Sequence, residues 1–188
     1  MRLFRFLTLY MALMLGANVA AAADLATLQA LREGDMKKLA LHETPKPVSD
    51  LAFQKPDGAG TATLAEYRGK YLLVNFWATW CAPCRKEMPM LNALQEEFGG
   101  EGFQVVTIAT GRNSPAGIKK FFDEIGVTDL PRYQDPKQAL ARDMGVLGLP
   151  VTLIVDPEGR EIGRLMGDAD WTSESAKAII AALLLEEA

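Results

Sequence analysis

The stretch LVNFWATWCAPCRKEMP constrains this chain more than any other, because it runs an apolar segment at 71–77 into WCAPC at 80–84 and then into a segment of helical character at 85–98. The apolar run is continuous except for Asn75, the pattern of a strand covered on both faces, and it belongs at the centre of a sheet. The pair Cys81 and Cys84, the only cysteines in the chain, therefore sits where a strand hands over to a helix. Unpaired backbone N–H groups at a helix N-terminus favour negative charge, so a thiol placed there ionises more readily than a free one. The i, i+3 spacing brings the second sulfur to the same face, within reach of a short-loop disulfide. The residues between them, Ala82 and Pro83, tune how well the helix end stabilises a thiolate.

Length and composition narrow the setting. A chain of 188 residues with 49% hydrophobic residues has enough material for one core, so two cysteines are not a disulfide framework of the kind small coreless chains need. The net charge of −4, with no basic stripe interleaved with aromatics, argues against a nucleic-acid partner. Arg2 and Arg5 precede an apolar run at 6–15 and alanines at 20–23, the layout of a bacterial-type secretory signal cleaved after Ala23 or of an uncleaved membrane anchor. Both readings place the folded part outside the cytoplasm, in the periplasm, free or tethered to the inner membrane.

The remaining segments suggest a three-part chain: residues 1–23 as signal or anchor, 24–47 as a helical segment and linker, and 48–188 as an α/β domain. Leu25, Leu28, Leu31, Met36 and Leu39 recur at roughly helical spacing with a break at Gly34, and Pro45 and Pro47 open an extended linker. Short strands at 51–54 and 61–63 around PDGAG form an N-terminal β-hairpin extension, and 64–69 makes one helical turn. The helix at 85–98 carries Pro89 inside it, which removes one donor and predicts a kink, while Met88, Leu91, Leu94 and Phe98 form its buried stripe. A second strand at 103–109 completes a parallel crossover unit. Helices follow at 116–125, capped by Ser114, at 136–144, and at 171–185, capped by Thr172 or Ser173. Between the last two, strands at 151–155 and 160–166 pair through the turn DPEG. The expected architecture is a central mixed sheet flanked by helices.

CxxC alone admits a redox dithiol, half of a metal site, or haem attachment. Arg85 stands where haem attachment requires histidine, and a structural zinc site needs four ligands where this chain offers one pair plus His42, expected at the surface. A WCxxC pair between strand and helix signals redox work, with no metal and no cofactor beyond the Cys81–Cys84 disulfide itself. A peroxidase using a lone cysteine fits less well.

FWATWCAPC, the proline five residues on, and GLPVTLIVDPEGREIGRLMG together resemble the thioredoxin-like superfamily, within its TlpA/ResA/CcmG branch of exported thiol-disulfide reductases. LREGDMKKLAL and PKPVSDLAF are similar to TlpA-type members in particular. The resemblance spans nearly everything from Leu51 onward. It implies that Cys81 is the attacking thiolate and Cys84 the resolving thiol, and that Pro150 is the cis-proline beside them, with Leu149 as the neighbour whose backbone holds an extended client segment. It also implies that Glu87 is linked to the protonation of the cysteines. Trp80 and Pro83 are expected to meet the client and Trp77 to pack beneath the helix, with Gly111, Arg112 and Asn113 as a candidate contact loop. Cytoplasmic-type members carry a buried aspartate where Asn75 stands, so Glu87 or water must serve as any base here. The resemblance further implies disulfide-containing client proteins, met in cytochrome c maturation or copper-site assembly of cytochrome oxidase, and a membrane thiol transporter of the DsbD or CcdA kind as electron donor. A disulfide donor or isomerase of the same fold, and a cysteine-based metal carrier, are the competing readings.

Overall fold

A computed structural model describes residues 24–185; the signal or anchor reading of residues 1–23 lies outside them. Among the described residues no helix is long and apolar enough to cross a membrane.

One eight-stranded mixed sheet organises the chain. Its strands are β1 (Ala40–Pro47), β2 (Phe53–Gln54), β3 (Thr61–Ala62), β4 (Tyr71–Trp77), β5 (Phe103–Thr110), β6 (Tyr133–Asp135), β7 (Val151–Val155) and β8 (Arg160–Met166), in the spatial order β1-β8-β7-β4-β5-β6-β2-β3. The apolar run is β4, buried at all seven positions and flanked by parallel β5 and antiparallel β7. Among the described residues five α-helices accompany the sheet, α1 (Asp24–Ala30), α2 (Ala82–Phe98), α3 (Pro115–Ile125), α4 (Ala139–Asp143) and α5 (Glu174–Leu185), with short 3-10 turns at Gly34–Lys38, Pro56–Gly58 and Leu64–Tyr67.

The alternation of β4 divides the core. Leu73 and Trp77 face a cluster with Met88, Leu91 and Leu94 of α2, Phe121 and Phe122 of α3, and Ile179 and Ile180 of α5. Leu72, Val74 and Phe76 face a second cluster with Phe53, Leu64, Ile108 and Leu140. Period-two side-chain direction thus places Asn75 on the same face as Trp77 and the redox helix. Pro89 lies on the exposed side of α2, and the helix runs through it as one element. Pro89 has no N–H to donate to the Arg85 carbonyl, and because that turn faces solvent, water can hydrogen-bond the freed carbonyl instead.

Several local signals hold. The 53–62 hairpin pairs as expected, at the far edge of the sheet through β6. Thr63 and Glu66 close a capping box on the single turn Leu64–Tyr67. The Ser114 hydroxyl accepts the Gly117 N–H, with Pro115 at the first helical position. Ser114→Ala is expected to cost about 1 kcal/mol, read as a lowered urea midpoint with an unchanged slope.

Other segments differ from the sequence reading. Residues 40–47, expected as helix end and linker, form β1 and pair antiparallel with β8, Leu41 opposite Gly163. A Cβ at Gly163 would come within 3.0 Å of Leu41 Cδ2 and 3.4 Å of Leu39 Cδ1, so the glycine leaves room for these two leucine side chains over β8. Leu28, Met36 and Leu39 then sink into the same core as Trp77. His42, expected at the surface, is largely covered, its Nε2 2.8 Å from Glu161 Oε1. Burial pushes the Glu161 carboxyl up, yet hydrogen bonds from Arg164 and His42 outweigh it and leave the group below the usual range. The helix expected at 136–144 shrinks to α4 because Asp135, at the end of β6, accepts the amides of Ala139 and Ala141 and so sets its start. Trp171 precedes α5 rather than opening it; Ser173 Oγ accepts the Ala176 N–H.

Candidate active site

The C-terminal end of β4 delivers the chain to the site, and two neighbours fix it there. Continuing the β4–β7 register past Phe76↔Val151 sets Pro150 beside Trp77, four residues before Cys81. The Leu149–Pro150 peptide bond is cis, and the Pro150 carbonyl accepts the Gly167 N–H at 2.9 Å. On the other side, Asn113 Oδ1 accepts both the backbone N–H and the hydroxyl of Thr79, at 2.8 and 2.9 Å, while its Nδ2 donates to Thr110 O. The loop at 111–113, considered above for partner contact, thereby anchors the approach to the cysteines through Asn113.

Cys81 is the N-cap of α2 and is joined to Cys84 by a disulfide with an S–S distance of 2.02 Å. The Cys84 N–H donates to Cys81 Sγ at 3.3 Å. That is the helix-end arrangement that stabilises negative charge on the first sulfur once the bond is reduced. Both cysteines are buried, but Cys84 completely and Cys81 with 5% exposure left, so of the two only Cys81 borders the surface. Trp80 stands beside it at 66% exposure, and Ala82 and Pro83 are exposed as well.

Beneath the disulfide lies a polar group that the helix geometry predicts only in part. Glu87, one turn after Cys84 on α2, is fully buried. Its Oε1 accepts from Asn75 Nδ2 at 2.8 Å and its Oε2 from Trp171 Nε1 at 3.2 Å. The second amide hydrogen of Asn75 goes to Thr152 Oγ1 at 2.9 Å. Burial lifts the Glu87 carboxyl to about 7, against the pull of hydrogen bonds from Asn75, Trp171 and the Ala169 backbone. A group that exchanges a proton near neutrality therefore sits under the resolving cysteine. Asn75 is its partner, not a vacancy left by a missing aspartate.

Every site residue chosen from sequence falls in this neighbourhood. Cys81, Cys84 and Glu87 share the first turns of α2, and Trp80, Leu149 and Pro150 line adjoining grooves at the surface above them. Sequence reasoning missed Trp171, Thr152 and the role of Asn113. Trp171 reaches Glu87 across 84 positions of chain, a contact that no local spacing announces.

A mixed sheet with a WCxxC disulfide at the head of a helix and a cis-proline opposite defines the thioredoxin-like class. Within that class the chain belongs to the AhpC/TSA family, whose model matches residues 46–160. It is 34% identical over 97 residues to the thiol-disulfide oxidoreductase ResA of Geobacillus thermodenitrificans, covering 52% of this chain and 55% of that protein. It is 37% identical over 99 residues to the thiol:disulfide interchange protein HelX of Rhodobacter capsulatus, covering 53% of each. The chain thus aligns with little more than half the length of these relatives. A solved structure of a thioredoxin-family thiol:disulfide interchange protein from Chlorobium tepidum matches with a TM-score of 0.60 at 26% identity, covering 76% of this chain and 99% of that one.

Proposed function

We propose that this protein is an exported thiol-disulfide oxidoreductase that reduces disulfides of client proteins. The observation that carries the reading is the asymmetry of the pair: Cys81 at the helix end beside exposed Trp80, with an amide aimed at its sulfur, and Cys84 fully enclosed one turn on. In the reduced protein the Cys81 thiolate attacks one sulfur of a client disulfide, forming a mixed disulfide and expelling the other client sulfur as a thiolate. Cys84 then gives up its proton and attacks Cys81 Sγ. This closes the Cys81–Cys84 disulfide and releases the second client thiolate, so that two electrons have passed to the client. Glu87, a helical turn from Cys84 and titrating near neutrality, is the acceptor for that proton. Leu149 and Pro150 present the backbone edge along which the client segment lies, and Trp80 and Pro83 border it.

Export rests on Arg2, Arg5, the apolar run and the alanines at 20–23, which place the domain in the periplasm, free or tethered. There the pair is re-reduced by a membrane thiol transporter of the DsbD or CcdA kind, and the clients are cysteines of cytochrome oxidase copper-site or cytochrome c assembly. The names of the ResA and HelX relatives support the chemistry. The test of direction is the reduction potential, measured by equilibration with glutathione or dithiothreitol. A value close to thioredoxin's, about −270 mV, is expected, whereas one close to about −120 mV would assign the disulfide-donor role instead.

A further inference from the structure

Two adjoining surface grooves share Trp80, Gln138 and Arg142. One is walled by Ala141, Val146, Leu147 and Leu149, and Leu147 is 98% exposed along it. Thr110 also lines this groove; it is 2% exposed, and its hydroxyl has no hydrogen-bond partner among the described residues. The other groove is lined by Gly111, Arg112, Lys137 and Arg142.

Among the described residues Arg112, Lys137 and Arg142 have no carboxylate within 4 Å, unlike Arg85, Lys86, Lys119, Lys120 and Arg160. Arg32, Lys37, Lys46, Arg68 and Lys70 are also without one but line neither groove, so it is the gathering of three in one groove that matters. Arg142 is steadied by neutral Gln138, whose Oε1 accepts from its Nη2 at 3.1 Å. Asp135, close in sequence, is buried with both oxygens taken by amides of α4, and Asp143 lines neither groove. In a chain of net charge −4, this positive charge gathers beside exposed Trp80, the residue that precedes Cys81. Positive charge without internal partners favours an anionic ligand, and an orphaned buried hydroxyl favours a ligand that brings a polar backbone group.

We propose that this protein selects client segments in which the reacting cysteine is flanked by acidic residues, seated with carboxylates over Arg112, Lys137 and Arg142 and an apolar side chain against Leu147. The inference names the substrate class of the reductase reading and rests on it. Its test uses three peptide disulfides that differ only in whether the residues flanking the cysteine are Glu, Gln or Lys. Oxidation of the reduced protein is followed by Trp fluorescence. At low salt the Glu peptide is expected to react about tenfold faster than the Lys peptide, with the ratio falling towards one at about 0.5 M salt as screening shortens the field. Arg112→Gln is expected to lower the ratio about twofold, and the combined Arg112→Glu, Lys137→Glu and Arg142→Glu variant to invert it. Lys119→Glu with Lys120→Glu, on the outer face of α3, is expected to leave it unchanged. Because each ratio is taken within one variant, a general change in activity cancels. Equal rates for all three peptides, or a ratio that survives the triple reversal, would overturn the inference and leave the reductase reading standing. Failure of every peptide to oxidise the reduced protein would overturn both.

Discussion

Cys81→Ser is expected to bring reduction of a peptide disulfide down to the uncatalysed background, a loss of at least about a thousandfold, because a hydroxyl at the same helix end neither ionises near neutrality nor attacks sulfur. Cys84→Ser is expected to fail differently. Its Cys81 still completes the first exchange, but no second thiol releases the client, so the mixed disulfide accumulates and survives non-reducing electrophoresis. The difference follows from position: Cys81 is the N-cap whose sulfur accepts the Cys84 N–H and retains a little exposure, whereas Cys84 has none. Equal turnover loss without a trapped species in Cys84→Ser would contradict the attack order. Trapping in cells would also name the client.

Glu87→Gln is expected to flatten the pH dependence of stability. Burial raises the Glu87 carboxyl from an ordinary 4.5 to about 7. A carboxyl raised in the folded state supports folding fully while both states hold the proton, below about pH 4.5. That support is lost as pH rises towards 7, because the unfolded chain ionises first. A shift of this size corresponds to about 3 kcal/mol, so the wild type should be less stable at pH 8 than at pH 5 by an amount of that order from this group alone. Glutamine fills the same volume and carries no charge; it keeps one of the two acceptor oxygens, so the bond from Asn75 or from Trp171 is lost, a cost that does not vary with pH and so drops out of the comparison. Urea midpoints of the oxidised proteins at pH 5 and pH 8 give the comparison, and parallel losses in wild type and variant would show that Glu87 is not the group responsible. If Glu87 accepts the Cys84 proton, the same substitution also shifts the pH dependence of thiol alkylation in the reduced protein.

What could be read from the chain without coordinates follows physical lines. Strand β4 was legible because burial on both faces requires an unbroken apolar run, and the β7–β8 hairpin because Asp-Pro-Glu-Gly satisfies a turn by its own chemistry. The cysteine pair, Glu87 on the same helical face and the proline before β7 were legible for the same reason, as each depends on neighbours within a few residues. Strand β1 was not. It is an edge strand with Pro45 and Pro47 and scarcely any buried positions, so it lacks the alternation that betrays a strand, and only its pairing with β8 gives it that form. His42 reads as a surface residue for the same reason, since its cover comes from Glu161 on the paired strand. The three residues of β6 are too few for any period to show. Trp171 reads as the first residue of a helix because nothing near it in sequence marks the bond from its indole N–H to Glu87. The site was thus visible where its contacts are local and hidden where the sheet and α5 bring distant residues together.

One sulfur of the pair, Cys81 Sγ, is the attacker, and limited alkylation of the reduced wild-type protein tests this most directly. With iodoacetamide below stoichiometry near neutral pH, followed by peptide mass mapping, the account predicts that the label resides on Cys81, the N-cap sulfur aimed at by the Cys84 amide, with Cys84 unmodified. Label found equally on both cysteines, or first on Cys84, would contradict it.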